Sequence, residues 1–432
     1  SPLDEYSKLV LTEEEKQVSP DKVAELENEI QNTLDFKFRP NPLIQQYINF
    51  YQSRGRGTME TGLRRSGQFT SMARKIFREE GVPEDIVWLG QVESAWRPTA
   101  RSWAAASGLW QFIPSTGSRF GLRQTAWVDE RNSFEKATRA SAKYLKWLHS
   151  RYNNWELALG AYNTGEGNID RAIRRAGSSN FWDIYPYIAN ETRNYVPNIL
   201  AVILIAKNPE KYGFRGVQRM TPIEKTYDTI SVPSATSLHL LASLTDTSVD
   251  YLRSINPELR RDTTPRGESY NVRVPGGRGK TAVALLKRIP VERRDQVARV
   301  ITVAPGEDLQ AVAARTGTSV AQLQQWNGGL DLAGGGKIVV PPGSNVRLTN
   351  KVYDRARGGS SSTAAGSSLL TYTAKAGETV AQIAARYGAS VDEVAKLNGV
   401  AADAQLPRGR QIRVPTSGAT KSTAAPATRR RR

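Results

Sequence analysis

The sequence predicts a multidomain chain: one all-α domain followed by three small α+β modules, each built strand–helix–helix–strand. Two observations carry this. Across residues 40–213 apolar side chains recur at helical spacing, and the runs end on Gly, Asn or Pro. After about Thr221 the chain turns to Val, Thr, Gly and Pro, and residues 230–238, 301–309 and 372–380 align without gaps. In each copy an Asn stands eighteen positions after the aligned segment, as Asn256, Asn327 and Asn398. Each copy then closes on Val-Pro, at Val274-Pro275, Val340-Pro341 and Val414-Pro415. A repeat this regular marks three copies of one supersecondary unit.

Residues 1–39 form a charged lead-in, either packed on the next domain or mobile. Asn41-Pro42 opens a helix with Leu43, Ile44, Tyr47, Ile48 and Tyr51 on one face, broken near Gly55. A second helix runs over 68–80 through Phe69, Met72, Ile76 and Phe77; Gly81 ends it and Pro83 opens the next. There Ile86, Leu89 and Glu93 fall at i, i+3 and i+7, which sets a carboxylate on an apolar face. A loop bounded by Pro98 follows, then another over 115–122. Ser133 caps a long helix through Ala137, Ala140, Tyr144 and Leu148. Residues 155–162 make a short apolar helix stopped by Asn163-Thr164-Gly165, and 182–189 and 191–206 supply the last helices.

The domains read as follows: lead-in 1–39, helical domain 40–213, a first, degenerate module 222–275, a linker 276–298, a second module 299–342, a Gly/Ser-rich flexible linker 343–369, a third module 370–415 and a basic disordered tail 416–432. The second and third copies carry Gly306 and Gly377 in their first turn, where the first has Ser234-Ala235-Thr236-Ser237. The linkers make the modules flexible arms, so that deleting 222–432 should spare the action of the helical domain on soluble partners and weaken retention on insoluble ones.

The formal charge of +18 over 432 residues favours an anionic partner. It is spread along the chain apart from the terminal arginines 429–432, and no aromatic and basic interleaving points to nucleic acid, so none is expected as a partner. With no cysteine and only His149 and His239, the chain has neither disulfides nor the ligands for a zinc site or a His-based triad; no metal and no cofactor is expected. The apolar run 199–206 falls far below the roughly 18 residues that span a bilayer. A start at Ser1 reads as a processed or trimmed form, with which any targeting or lipid-bearing segment would have been lost.

Between Glu93 and Asp129 no Asp or Glu occurs; the interval holds Ser, Thr, Gln, Arg and Trp96, Trp103 and Trp110. Breaking a glycosidic bond needs a proton donor to the leaving oxygen, and a carboxyl serves at neutral pH when apolar surroundings raise its pKa. Glu93 fits, although a helix-end Glu can also be an ordinary cap. Glycosidases normally use a second carboxylate. Either Asp129, Glu156 or Glu166 folds back, or the substrate's own acetamido group supplies the nucleophile. Ser102, Gln111, Tyr162, Asn163 and Tyr195 are the types such a group requires. Each also has a plain reading, as loop hydrogen-bonder, core residue or helix stop, and Trp103 and Trp110 are open between core and sugar stacking.

Three ordered motifs, Glu93-Ser94-x-Trp96-x-Pro98-x-Ala100-x-Ser102, Gly108-Leu109-Trp110-Gln111-Phe112-Ile113-Pro114-x-Thr116-Gly117 and Ala161-Tyr162-Asn163-Thr164-Gly165, resemble the signature of the family 1 lytic transglycosylases. The repeats resemble LysM modules. The resemblance implies a goose-type-lysozyme-like helical fold. It implies cleavage of the bond between N-acetylmuramic acid (MurNAc) and N-acetylglucosamine (GlcNAc) in peptidoglycan, with Glu93 as the single acid, then base. It implies substrate contacts from Ser102, Gln111, Tyr162, Asn163 and Tyr195, a 1,6-anhydro product and glycan binding by the modules. It further implies a monomer at the periplasmic face of the envelope, held to the outer membrane by a lipid anchor absent from this chain. A hydrolytic muramidase and a non-catalytic wall-binding protein are the competing readings. Many family members carry a glycine between Ser102 and Gly108, where this chain has Trp103-Ala104-Ala105-Ala106-Ser107, so the shape of that loop is its own.

Overall fold

The computed structural model describes residues 5, 8–296, 298–328, 334–341, 368–374, 378–387, 391–407 and 410–416. The chain forms two compact units, Ser1–Ala356 and Arg357–Arg432.

The first unit is centred on the long helix that ends its helical part. The helices are α1 (Glu13–Lys16), α2 (Pro20–Thr33), α3 (Pro42–Gln52), α4 (Arg56–Ser66), α5 (Thr70–Glu80), α6 (Leu89–Ser94), α7 (Pro114–Arg119), α8 (Phe134–Tyr152), α9 (Trp155–Thr164), α10 (Glu166–Ala176), α11 (Phe181–Ile184) and α12 (Asn190–Lys207). From Val196 to Ile205 every residue of α12 is buried, so it serves as the core against which α3, α6 and α9 pack. A helix apolar all round belongs in an interior. Helix α3 starts where Asn41 accepts the Leu43 N–H at 2.9 Å. The lead-in takes the packed alternative: Leu26, Ile30, Leu34, Phe36 and Phe38 join the main core, and Glu15 pairs with Arg54 at 2.7 Å.

Several elements differ from the expected ones. Residues 56–66 and 166–176, left without structure by the sequence pattern, are the helices α4 and α10. Helix α4 holds two glycines, and α10 buries only Ile169 and Ala172, so neither shows a full apolar stripe. The loop expected at 115–117 is α7, with Pro114 in its first turn. Ser133 flanks α8 but makes no capping bond from its side chain.

The first module pairs β1 (Tyr227–Val232) antiparallel with β2 (Tyr270–Pro275), with α13 (Leu238–Leu244) and α14 (Val249–Ile255) between them. The linker expected at 276–298 is instead structured. It contains α15 (Gly279–Leu286), whose Ala282, Leu285 and Leu286 are buried against β1 and α13, and Ile289 and Ala298 are buried beyond it. Gly276-Gly277, at the start of that stretch, is a tight turn, with Gly277 at φ 77°. The second module pairs β3 (Arg299–Val303) with β4 (Gly336–Val340) around α16 (Leu309–Thr316) and α17 (Val320–Asn327). Its Trp326 and Val339 join the main core, and Lys337 bonds Asp246 of the first module at 2.7 Å.

The second unit is the third module. It pairs β5 (Ser368–Thr373) with β8 (Gln411–Thr416) and β6 (Glu378–Thr379) with β7 (Gln405–Leu406), around α18 (Val380–Tyr387) and α19 (Val391–Asn398). The linker expected at 343–369 and the tail at 416–432 lie outside the described residues, except Ser368, Leu369 and Thr416 in β5 and β8. Among the described residues no helix is long and apolar enough to cross a membrane.

Candidate active site

Helix α6 is only six residues long, and all six are buried. Ala95 and Trp96 end it in the left-handed region, at φ 48° and 57°. That turn folds the Trp96 ring back under the helix, stacked on Phe69 and edge-on to Trp88 and Trp110. A Cβ at Gly90 would meet the Trp96 ring at 2.9 Å, so this packing needs glycine there. Trp96 and Trp110 are therefore core residues packed around helix α6, and Trp110 also lines the cleft beside Glu93. Trp103 is the exception, 86% exposed at the cleft mouth.

Glu93 is 2% exposed and accepts a hydrogen bond from the hydroxyl of Tyr195 on α12. Burial pushes its pKa up to about 8; the Tyr195 hydroxyl opposes the shift and the charge of Glu191 adds to it. The carboxyl opens on a cleft of about 290 Å3 that Ser102, Trp103, Gln111, Tyr162, Asn163 and Glu191 also line. Tyr195 itself is fully buried and meets the cleft through Glu93. A larger groove of about 630 Å3 lies between the lead-in and α3, but its buried acid, Glu29, is already held by Lys211 and the Tyr212 hydroxyl.

The other expected side chains are each fixed by a partner. Tyr162 donates to the Trp110 carbonyl at 2.9 Å. The Asn163 amide donates to Glu191 at 3.1 Å and its oxygen accepts from the Thr192 hydroxyl at 2.8 Å. The Ser102 hydroxyl accepts the Ala106 N–H at 3.2 Å. The Gln111 amide donates to the carbonyls of Ala100 and Gly108 at 2.9 and 2.8 Å, while its buried Oε1 has no partner among the described residues. An acceptor left buried and unpaired is costly, and this one belongs to a side chain that lines the cleft. Gly108, at φ 89°, is required because a Cβ would lie 1.9 Å from the Arg131 carbonyl oxygen.

None of the three candidate second carboxylates reaches the cleft. Asp129 is held by Arg131 at 2.8 Å, and Glu166 by Arg119 at 2.9 Å. Glu156 is buried elsewhere, its pKa pushed up to about 7 by that burial. The acid that does line the cleft is Glu191, which the sequence reading missed. Its only sequence signal is a place in the first turn of α12, on the helix that also carries Tyr195.

Residues 72–185 match the Transglycosylase SLT domain family. Residues 226–291 match the LysM-like domain of lytic transglycosylase MltD, and 301–334 and 372–415 match the LysM domain. Membrane-bound lytic murein transglycosylase D of Escherichia coli strain K12 is 30% identical over 346 residues, which cover 76% of this chain and 72% of that protein. The chain belongs to the lytic murein transglycosylase D family. Solved structures that it resembles include an inactive mutant of the lytic transglycosylase Slt from Pseudomonas aeruginosa, at 21% identity and TM-score 0.29, over 46% of this chain and 32% of that one. Another is the 70-kDa soluble lytic transglycosylase of Escherichia coli, at 16% identity and TM-score 0.28, over 48% of this chain and 42% of that one. The chain thus spans less than half of either solved structure. Within the family, the SLT match takes in Glu93, Ser102, Gln111, Tyr162 and Asn163, and ends before α12, which adds Tyr195 and Glu191.

Proposed function

We propose that this lytic transglycosylase cleaves the β-1,4 bond between MurNAc and GlcNAc in peptidoglycan without water, leaving 1,6-anhydroMurNAc ends. The observation that carries the reading is Glu93: a buried carboxyl with its pKa near 8 is a proton donor at neutral pH. Glu93 protonates the glycosidic oxygen as the C1–O bond breaks, and the MurNAc acetamido oxygen attacks C1. The carboxylate so formed then takes the proton of the C6 hydroxyl. The C6 oxygen closes on C1, the acetamido group is released, and Glu93 ends protonated as it began. Tyr195 steadies the carboxylate between the two steps, and Ser102, Gln111, Tyr162 and Asn163 hold the sugar and its acetamido group.

The domain plan is proposed with it: a catalytic domain over 40–213 and LysM-type modules that keep the enzyme on its polymer by raising the local concentration of glycan. The charge of +18 suits an anionic envelope surface. We place the protein as a monomer at the periplasmic face of the envelope, anchored by lipid in its precursor.

Mass spectrometry of digested peptidoglycan tests the chemistry. Anhydro products are expected from the wild type and none from Glu93→Gln, which should lose at least about a hundredfold in rate. Glu191 supports a second reading, since a second carboxylate in the cleft would let an activated water attack. That product is one water heavier with a free reducing end, and finding it alone would sink the first reading. A non-catalytic wall binder would show no difference between wild type and Glu93→Gln.

A further inference from the structure

The first module is joined to the helical domain by a seam that adjoins the loop lining the cleft. Its segment 258–261 lies antiparallel to segment 125–129 of the helical domain. The Asp129 N–H donates to the Glu258 carbonyl at 2.8 Å, and the Arg260 N–H to the Trp127 carbonyl at 2.9 Å. Val128 and Leu259 face each other across this bridge, both buried. Arg260 and Arg261 grip the same segment by side chain, at the carbonyls of Thr125 and Ala126, 3.0 and 3.1 Å away, and Arg261 lies over the Trp127 ring. Below the seam Arg273 pairs with Glu135 of α8 and with Glu258 at 2.7 Å, and covers the Phe134 ring.

The segment so held is the one that shapes the substrate loop. The Asp129 carboxylate takes Arg131 by two bonds of 2.9 and 2.8 Å. The remaining Arg131 nitrogen donates to the carbonyls of Ala105 and Phe112, at 2.8 and 3.1 Å. Those carbonyls bracket the loop carrying Gln111 and following Ser102. Meanwhile the module's first turn is closed by its own chain and by the segment that follows it. The Ser237 N–H donates to the Arg294 carbonyl at 2.7 Å, the Thr264 N–H to the Thr236 carbonyl at 3.0 Å, and Thr236 is buried. In the second module the same turn, with Ala304, Pro305, Gly306 and Asp308, is exposed.

We propose that the first module is a fixed brace of the cleft rather than a glycan-binding arm. Asp129 and Arg131 are the positioning residues through which it acts. The inference rests on the reading of this cleft as the active site. Misplacement of a substrate loop by a fraction of an ångström is felt in kcat/KM even on a soluble strand, whereas a loosened arm is felt only in capture of the insoluble polymer.

The test uses the full chain with Arg260→Ala/Arg261→Ala, which removes three grips on segment 125–127 and touches neither core. The assay pairs steady-state kinetics on a soluble, uncrosslinked glycan strand with sedimentation on insoluble peptidoglycan. The brace predicts a fall in kcat/KM of roughly tenfold on the soluble strand, carried mainly by KM. The alkaline limit of activity should stay in place, because Glu93 is untouched, and sedimentation should stay at the wild-type level. Glu268→Lys, which sets two cations together at the Arg123 edge of the seam, should move KM the same way. Lys287→Ala/Arg288→Ala removes equal charge just after α15, away from the seam, and should change nothing. Wild-type kinetics on the soluble strand in the seam variants, with or without a loss of sedimentation, would overturn the brace. A wild type silent on the strand would overturn the cleft reading, and the brace with it.

Discussion

The protonation of Glu93 sets the pH behaviour. Its carboxyl must carry a proton to act as the acid, so kcat/KM should fall as pH rises through about 8. The Tyr195 hydroxyl favours the ionised form, so Tyr195→Phe should move that alkaline limit to higher pH, read from a pH–rate profile. Stability follows the same group. Its folded pKa lies above the ordinary 4.5, so the native state loses stability between pH 4.5 and about 8, where the carboxyl ionises in the unfolded chain but holds its proton in the folded one. Glu93→Gln should therefore melt higher than wild type at pH 8 and not at pH 4, a difference above about 1.4 kcal/mol, the worth of one pKa unit. Trp103 makes a separate prediction. An indole 86% exposed at the mouth of a sugar-sized cleft has lost little water, and a sugar face is a ready partner for it. Trp103→Ala should raise KM on soluble glycan several-fold with kcat near wild type, in steady-state assays. Much of this site was legible because Glu93, Ser102, Gln111, Tyr162 and Asn163 sit in short contiguous motifs. Glu191 was not, since nothing local to it marks a cleft; only the fold brings α12 against α6.

At the scale of elements, the repeated Asn is a clamp between the last helix and the closing strand of each module. The Asn256 amide donates to the carbonyls of Leu252 and Arg273, each at 2.8 Å, and its oxygen accepts the Arg273 N–H at 2.8 Å. Asn327 does the same with Leu323 and Val339, and Asn398 with Val394 and Arg413. No other side chain offers two donors and an acceptor at that reach, which explains the fixed spacing. Asn256→Ala would strand a buried strand N–H and carbonyl, and should cost roughly 3 kcal/mol in chemical or thermal unfolding; Asn256→Asp, which keeps the acceptor but turns a buried carboxylate oxygen on both carbonyls, should cost at least as much. The same logic separates what the sequence shows from what it hides. Strands and helices with a clean apolar period were readable, as at α3, α5 and β1. Helix α15 was not, because Gly276-Gly277 precedes it and its stripe is only Ala282, Leu285 and Leu286. A stripe that short becomes visible as helix only once the sheet it covers is in place.

For the whole molecule, the modules differ in kind, and truncation should show it. The first is fused to the helical domain through Arg273, Glu258 and segment 258–261, and the second leans on the first through Trp326, Val339 and the Lys337–Asp246 pair. The third forms a compact unit with its own core of Ala374, Val380, Ile383, Ala384, Val394, Leu406, Ile412 and Val414. Free arms on flexible linkers would make any cut after the helical domain harmless to cleavage. The packing argues otherwise. Removing 222–432 would lay bare Val128, Phe134 and the Glu135 carboxylate, all covered or paired by the first module. It would also release segment 125–129, so cleavage of soluble strands should fall with wall retention. Removing 342–432 leaves every described contact of the first unit in place. That shorter protein should cut soluble strands at the wild-type rate and sediment less well with insoluble peptidoglycan, by the avidity of one lost module. Both truncations cutting soluble strands equally well would show that the seam plays no part in the cleft.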